Sequence, residues 1–166
     1  MKDIKRFLSL ESYAVAGVSR DPKKFGHVLF RTLRQKGMKA VPVNPNADVI
    51  DGVACFKSVT ELPADVKGII FLTPKEETLS VEREAISRGI KDLWIQQGAE
   101  TKSVISELEK EDVNLIHNQC ILMFWKPTGI HSFHRFLKKI FGGLCPLNTK
   151  YSILKELRQP AFGMIC

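Results

Sequence analysis

No stretch of the sequence approaches the run of roughly 20 apolar residues that a bilayer-spanning helix requires, although 44% of the chain is hydrophobic. The N-terminus, Met1-Lys2-Asp3-Ile4-Lys5-Arg6, is followed by neither an apolar core of signal-peptide length nor a small-residue cleavage site. A soluble, cytoplasmic protein is expected, with no membrane partner. Cysteine is scarce. Cys55, Cys120, Cys145 and Cys166 lie far apart and form no CxxC pair, so neither a zinc knuckle nor a disulfide framework is indicated and free thiols are expected. Also lacking are an acidic pair, a metal signature and a nucleophile–base spacing, so no catalytic residue is assigned. No internal repeat or low-complexity linker divides the 166 residues, a length that suits one folding unit with its own core.

Charge is present in plenty but unevenly. The net charge is +7, with ten Lys/Arg against three Asp/Glu in residues 1–40, eight against fourteen in 41–125, and seven against one in 126–166. Basic ends that meet around one site in an α/β fold would make a positive field for an anionic ligand such as a nucleotide or a phosphate. Nucleic acid is a weaker candidate on the same charge, and solvated helix surfaces account for many of these residues in any case.

Short β-rich runs alternate with amphipathic stretches. Strands are expected at Tyr13–Gly17, Lys39–Val43, Val66–Leu72, Asp92–Ile95 and Val113–Ile116, with helices over Val28–Lys36, Lys75–Arg88 and about Thr101–Lys110. Asp51-Gly52 marks a tight turn before a short run Val53–Phe56, and Ser58–Leu62 a short helix or turn. This alternation predicts a Rossmann-like, doubly wound α/β fold with a mostly parallel five-stranded sheet and helices on both faces. Ligands bind such sheets at the carboxyl ends of the strands. The expected division is a Rossmann-like ligand-binding domain over 1–122, with a basic C-terminal helix and tail over 123–166 packed on the same domain.

The first strand runs into Gly17-Val18-Ser19-Arg20-Asp21-Pro22-Lys23-Lys24-Phe25-Gly26 and then a helix. A glycine turn entering a helix is an anion site, because the helix N-terminus presents unpaired N–H groups and partial positive charge. Arg20, Lys23 and Lys24 add full charges. The dinucleotide fingerprint is not met, since Ser19 and Pro22 stand where GxGxxG needs glycines. The second strand ends in Val43-Asn44-Pro45, without the acid that holds an NAD ribose. A nicotinamide dehydrogenase is therefore not expected.

Three runs, Ala14–Gly26, Val41–Pro45 and Leu93-Trp94-Ile95-Gln96-Gln97-Gly98, together resemble the stand-alone CoA-binding domain proteins, which are similar to the CoA-binding domain of the succinyl-CoA synthetase α subunit. The resemblance covers roughly residues 5–122. It implies coenzyme A, free or acylated, lying across the strand carboxyl ends. By position, Gly17, Val18, Ser19 and Arg20 would hold the pyrophosphate, with Gly26 closing the motif, and Lys23 or Lys24 would reach the ribose phosphate. Val43, Asn44 and Pro45, with Leu72, Thr73 and Pro74, would wall the adenine and pantetheine arm, and Gln97 and Gly98 would complete the rim. The synthetase depends on a second domain with a phosphorylated histidine, for which this chain lacks the length, so synthetase activity is not expected.

Further clusters leave alternatives open. Cys120 would follow the last strand at the ligand edge, as a redox thiol near the coenzyme or a nucleophile in a thiol- or acyl-CoA-linked enzyme; a small buried apolar residue is the plainer reading. His131 and His134, with His117 and Cys120 before them, make zinc conceivable, but the spacing favours surface or phosphate-facing histidines and no metal is assigned. Phe124, Trp125, Phe133, Phe136 and Phe141, interleaved with Lys126, Arg135, Lys138 and Lys139, would suit an RNA or nucleotide binder. The helical spacing of Phe133, Phe136, Leu137 and Ile140 instead favours a buried face. The chain could also be the coenzyme-binding half of a partner-dependent ligase.

Overall fold

The computed structural model describes residues 3–126. In chain order the elements are α1 (Ile4–Leu8), β1 (Tyr13–Ala16), α2 (Phe25–Gln35), β2 (Ala40–Val43), β3 (Val49–Ile50), β4 (Val53–Ala54), β5 (Gly68–Phe71), α3 (Lys75–Ser87), β6 (Asp92–Gln96), α4 (Lys102–Leu108) and β7 (Asn114–Gln119). Single 3-10 turns stand at Val59–Glu61 and Ile121–Met123. Five strands pair in the order β2-β1-β5-β6-β7, and every ladder is parallel. The fold is Rossmann-like α/β.

The alternation of side chains along each strand divides the core. Tyr13, Val15, Ile70, Trp94 and Ile116 pack with Phe7 of α1 and Leu29, Phe30 and Leu33 of α2. Ala14, Ala16, Ile69, Phe71, Leu93, Ile95 and Leu115 pack on the other face with Ala85 of α3 and Val104 and Leu108 of α4. Helices cover both faces, so the strands read as nearly unbroken apolar runs. Each fully buried Leu, Ile or Phe contributes roughly 1.5–3 kcal/mol relative to exposure. From β1 the chain winds outward to β2, then crosses back over β1 to β5, so the winding direction switches between β1 and β5. A crevice opens there at the carboxyl ends.

Several elements differ from those the sequence predicts. Helix α1 is too short to show periodicity; it is held by tertiary contacts, Phe7 lying 5.5 Å from Tyr13 and 5.3 Å from Trp94 between ring centres, with Tyr13 Oη donating to the Phe7 carbonyl at 2.9 Å. Helix α2 begins at Phe25, ahead of Val28, because a turn in which Lys24 N donates to Asp21 O starts it. Strand β7 continues past Ile116 through polar residues whose backbone is used from β6: Gln119 O accepts from Gln97 N at 3.2 Å and from Trp94 Nε1 at 3.1 Å. The Asp51-Gly52 turn does join β3 to β4, with both residues at positive φ (49° and 74°), as a two-residue hairpin requires. The run expected over Val53–Phe56 is paired only at Val53–Ala54, and Phe56 instead bridges to Val43 at the sheet edge.

Candidate functional site

Gly17 leaves β1 with φ +86°, and a Cβ built on it would lie 2.7 Å from Thr73 N and 2.8 Å from the Leu72 carbonyl carbon. No side chain fits between the ends of β1 and β5. Gly26, near the start of α2, approaches the same turn: a Cβ there would sit 3.1 Å from Gly17 O and 3.6 Å from Ser19 N. Among the described residues, the amides of Val18, Ser19 and Arg20 donate to no other atom, nor do those of Phe25 and Gly26 at the helix start. The Ser19 amide borders the space that a side chain at position 26 would fill, beside the start of α2, an arrangement suited to an anion at a helix N-terminus.

Two hydrogen bonds set the turn. Asn44 Nδ2 donates to Val18 O at 2.7 Å, and His27 Nδ1 lies 2.7 Å from Ser19 O. A carbonyl only accepts, which assigns a proton to Nδ1. The remaining polar groups brace the loop locally: Asp21 N donates to Ser19 Oγ, and Lys23 N to Asp21 Oδ1. His27 is 4% exposed, and its Nε2 lies 2.9 Å from both Asp51 Oδ1 and Arg31 Nη2. Hydrogen bonds from Arg31 and then His27 outweigh partial burial and hold the Asp51 carboxyl down at about 2.

Beside the turn lie two connected recesses that share Asn44 and Asn46. One, of about 580 Å³, is lined by Ser19, Arg20, Asp21, Lys24, Asn44 and Asn46. The other, of about 350 Å³, includes Gly17, Val43, Asn44, Pro45, Thr73 and Pro74, with Val59 and Val81 as apolar walls and Glu77 and Glu84 as acceptors. Lys57 also borders it, but its ammonium is engaged by Ala47 O at 2.8 Å and Asp48 Oδ1 at 2.6 Å. A separate recess of about 450 Å³ near Glu11, Arg34, Lys39 and Asp65 lies at the amino ends of β1 and β2, away from the turn.

The structure thus brings together Gly17, Ser19, Arg20, Lys24, Gly26, Val43, Asn44, Pro45, Thr73 and Pro74 from the sequence-predicted set. Val18 is fully buried and contributes backbone only. Leu72 lies behind the turn, its Cδ1 3.7 Å from the position of a Cβ on Gly26. Lys23 borders neither recess, and Gln97 and Gly98, both exposed, border neither as well. Cys120 is half-buried after β7, two strands beyond β5, packed against the α1–α2 side of the core. His117 Nε2 lies 3.7 Å from Glu109 Oε1 and its Nδ1 2.9 Å from Asn118 Nδ2. His131, His134, Phe133, Phe136, Phe141, Arg135, Lys138 and Lys139 fall outside the described residues. Among the described residues no three metal-ligating side chains cluster, and no helix is long and apolar enough to cross a membrane. Burial pushes the Cys55 thiol up, away from thiolate character.

Sequence reasoning missed His27, Asp51, Glu77 and Glu84. A signal existed for His27, a polar residue on the buried stripe it shares with Phe30 and Leu33; none existed for Asp51, which reads as an ordinary turn residue.

Residues 11–126 match the model of a family described as CoA binding domain. The alpha subunit of an ADP-forming acetate–CoA ligase II from Pyrococcus furiosus is 34% identical over 114 residues, which cover 67% of this chain and 25% of that protein. An ADP-forming acetate–CoA ligase II from Archaeoglobus fulgidus is 32% identical over 120 residues, 66% of this chain and 18% of that protein. Among solved structures, a conserved hypothetical protein from Pyrococcus furiosus superposes with a TM-score of 0.65 at 41% identity, over 68% of this chain and 97% of that one. The chain spans a quarter or less of the length of these ligases.

Proposed function

This chain belongs to the CoA binding domain family, and we propose that its own role is to bind coenzyme A, or an acyl-CoA, at the carboxyl ends of β1, β2 and β5. The observation that carries this reading is the Gly17–Arg20 turn. Its amides have no partner among the described residues, and Ser19 N lies 3.6 Å from where a Cβ at position 26 would sit at the start of α2, with Arg20 and Lys24 alongside. Coenzyme A carries a pyrophosphate and a ribose 3′-phosphate, and needs N–H donors and cations in one place. In this reading the turn and Gly26 take the pyrophosphate, and Lys24 the 3′-phosphate, with Lys23 further out as a mobile counter-charge. Val43–Pro45 and Leu72–Pro74 wall the recess that also holds Glu77 and Glu84. Those carboxylates repel phosphate but accept from amide or amino N–H groups, which suits the neutral portions of the ligand. Gln97 and Gly98 form an outer rim.

The chain then acts as a binding module in which no residue is given a catalytic role, and Cys120 lies outside the site. Alignment with a ligase alpha subunit favours a second reading, the coenzyme-binding portion of a partner-dependent ligase, under which acyl-CoA forms only when a nucleotide-binding partner is supplied. The test of the main reading is a thermal-shift panel of coenzyme A, acetyl-CoA, dephospho-CoA, NAD, NADP and ATP, since a ligand that binds the folded state raises its apparent stability. A shift with coenzyme A that shrinks with dephospho-CoA is expected. A shift with NAD or ATP and none with any coenzyme A species would overturn the reading.

A further inference from the structure

We infer that His27 is a positioning residue for the phosphate-binding turn, aiming its amides at the ligand through a bond to the Ser19 carbonyl; the ligand side of this rests on the coenzyme A reading. In a trans peptide the C=O and the following N–H point in opposite directions. Fixing a carbonyl therefore fixes the next amide. Asn44 holds the Val18 carbonyl and so orients Ser19 N–H, and His27 holds the Ser19 carbonyl and so orients Arg20 N–H. Neither amide has a competing partner among the described residues. Among the described residues no other donor holds either carbonyl, so without these bonds the two peptides lose the contacts that set the direction of their N–H groups.

The far side of the imidazole is anchored as well. Nε2 meets Asp51 and Arg31, and Arg31 in turn grips Asp51 through Nε and Nη2 at 2.9 and 3.1 Å. Asp51 occupies the positive-φ turn between β3 and β4, whose strands have only two residues each. This small hairpin thereby gains a role: its turn backs the histidine that backs the phosphate loop. His27, Arg31 and Asp51 line neither recess, so each acts through the next.

The two ring nitrogens can be tested separately by substitution. His27→Asn keeps an amide N–H near the place of Nδ1 but cannot reach Asp51, whereas His27→Gln places its amide near Nε2 and leaves Ser19 O without a donor. Coenzyme A affinity, by calorimetry, should fall roughly tenfold in His27→Gln and His27→Ala and stay within about threefold of wild type in His27→Asn. Amide signals of Val18, Ser19 and Arg20 in the ligand-free protein should remain sharp in wild type and His27→Asn, and broaden in the other two. A purely structural role would not distinguish Asn from Gln in this way. Equal losses in Asn and Gln, with equally altered turn signals, would overturn the inference while leaving the coenzyme A reading intact if wild type binds. Wild type that fails to bind coenzyme A, with signals that still separate Asn from Gln, would sink the ligand reading and leave the positioning role standing.

Discussion

Gly17 and Thr73 stand so close at the carboxyl ends of β1 and β5 that a methyl group on Gly17 would lie 2.7 Å from the Thr73 amide nitrogen, in a backbone conformation with φ +86°. Gly17→Ala must therefore both strain the turn and push two central strands apart. Left-handed strain costs about 1–2 kcal/mol and overpacking about 1–3, so a loss near 3 kcal/mol is expected in urea unfolding. Gly26→Ala makes the informative contrast. Its backbone is not left-handed, and alanine favours the helix by about 0.5–1 kcal/mol, which offsets the tight 3.1 Å approach to Gly17 O. Stability should change by less than about 1 kcal/mol, whereas coenzyme A affinity should fall at least tenfold because the methyl group fills the anion space. Unaltered affinity in Gly26→Ala would place the phosphate elsewhere.

Lys23 and Lys24 are adjacent in sequence but differ in placement, since only Lys24 borders the recess with Ser19, Arg20 and Asn44. Lys24→Ala should weaken coenzyme A about five- to tenfold and affect dephospho-CoA much less, in line with one charge-assisted phosphate contact. Lys23→Ala should cost about twofold or less and vanish in high salt, as a screened charge does. Titrations of both ligands into both variants at two salt concentrations check this. Equal losses for coenzyme A and dephospho-CoA in Lys24→Ala would remove this lysine from the 3′-phosphate.

These contrasts also mark how far the sequence could be read. Strands such as Gly68–Phe71 and Asp92–Gln96 were legible because a parallel strand buried on both faces is apolar along most of its length, as at Ile69–Phe71 and Leu93–Ile95, and Gly17 was legible because a strand–glycine–helix junction has few other uses. The edges of the site were not. Lys23 and Lys24 are indistinguishable without the turn geometry, and Gln97-Gly98 belong to the family pattern yet border neither recess. His27 and Asp51 are 24 residues apart, and their contact depends on where the β3–β4 hairpin folds against α2. Helix α1 was invisible for a related reason: its five residues are held by Tyr13, Trp94 and a polar cluster more than 80 residues away.

That polar cluster provides a control in which stability and binding separate. Asp92, 5% exposed, accepts from Arg6 Nη2 and from Asn114 Nδ2, each at 2.9 Å, at the amino end of β6. Asn114 also exchanges two hydrogen bonds with the Asp3 backbone. Asp92→Ala leaves a buried amide short of an acceptor and an arginine without its partner, at an expected cost of about 2–4 kcal/mol in urea unfolding. Because Asp92 lies at the opposite end of the sheet from Gly17, coenzyme A affinity in native conditions should remain within about twofold of wild type. A large loss of affinity would mean that the two ends of the sheet are coupled.

Glu82 makes the strongest pH prediction. It lies on the face of α3 shared with Thr78 and Ala85, is fully buried, and among the described residues neither carboxyl oxygen has a hydrogen-bond partner. Burial alone pushes its pKa up from the usual 4.5 to about 8. Below pH 4.5 both folded and unfolded chains hold the proton, and the stability linked to this group is fully present. Between pH 4.5 and about 8 the unfolded chain has released the proton while the folded chain keeps it. Unfolding is then favoured by about 1.4 kcal/mol for each pH unit gained. Above about pH 8 both states are ionised and the loss levels off. Glu82→Gln keeps the shape of the neutral acid and removes the titration, so the variant should match wild type near pH 5 and exceed it by a few kcal/mol at pH 8. Urea unfolding of both proteins across this range measures the difference directly. Parallel pH profiles would mean that Glu82 ionises in the folded protein as readily as in the unfolded chain, and that its side chain finds water or a cation beneath α3.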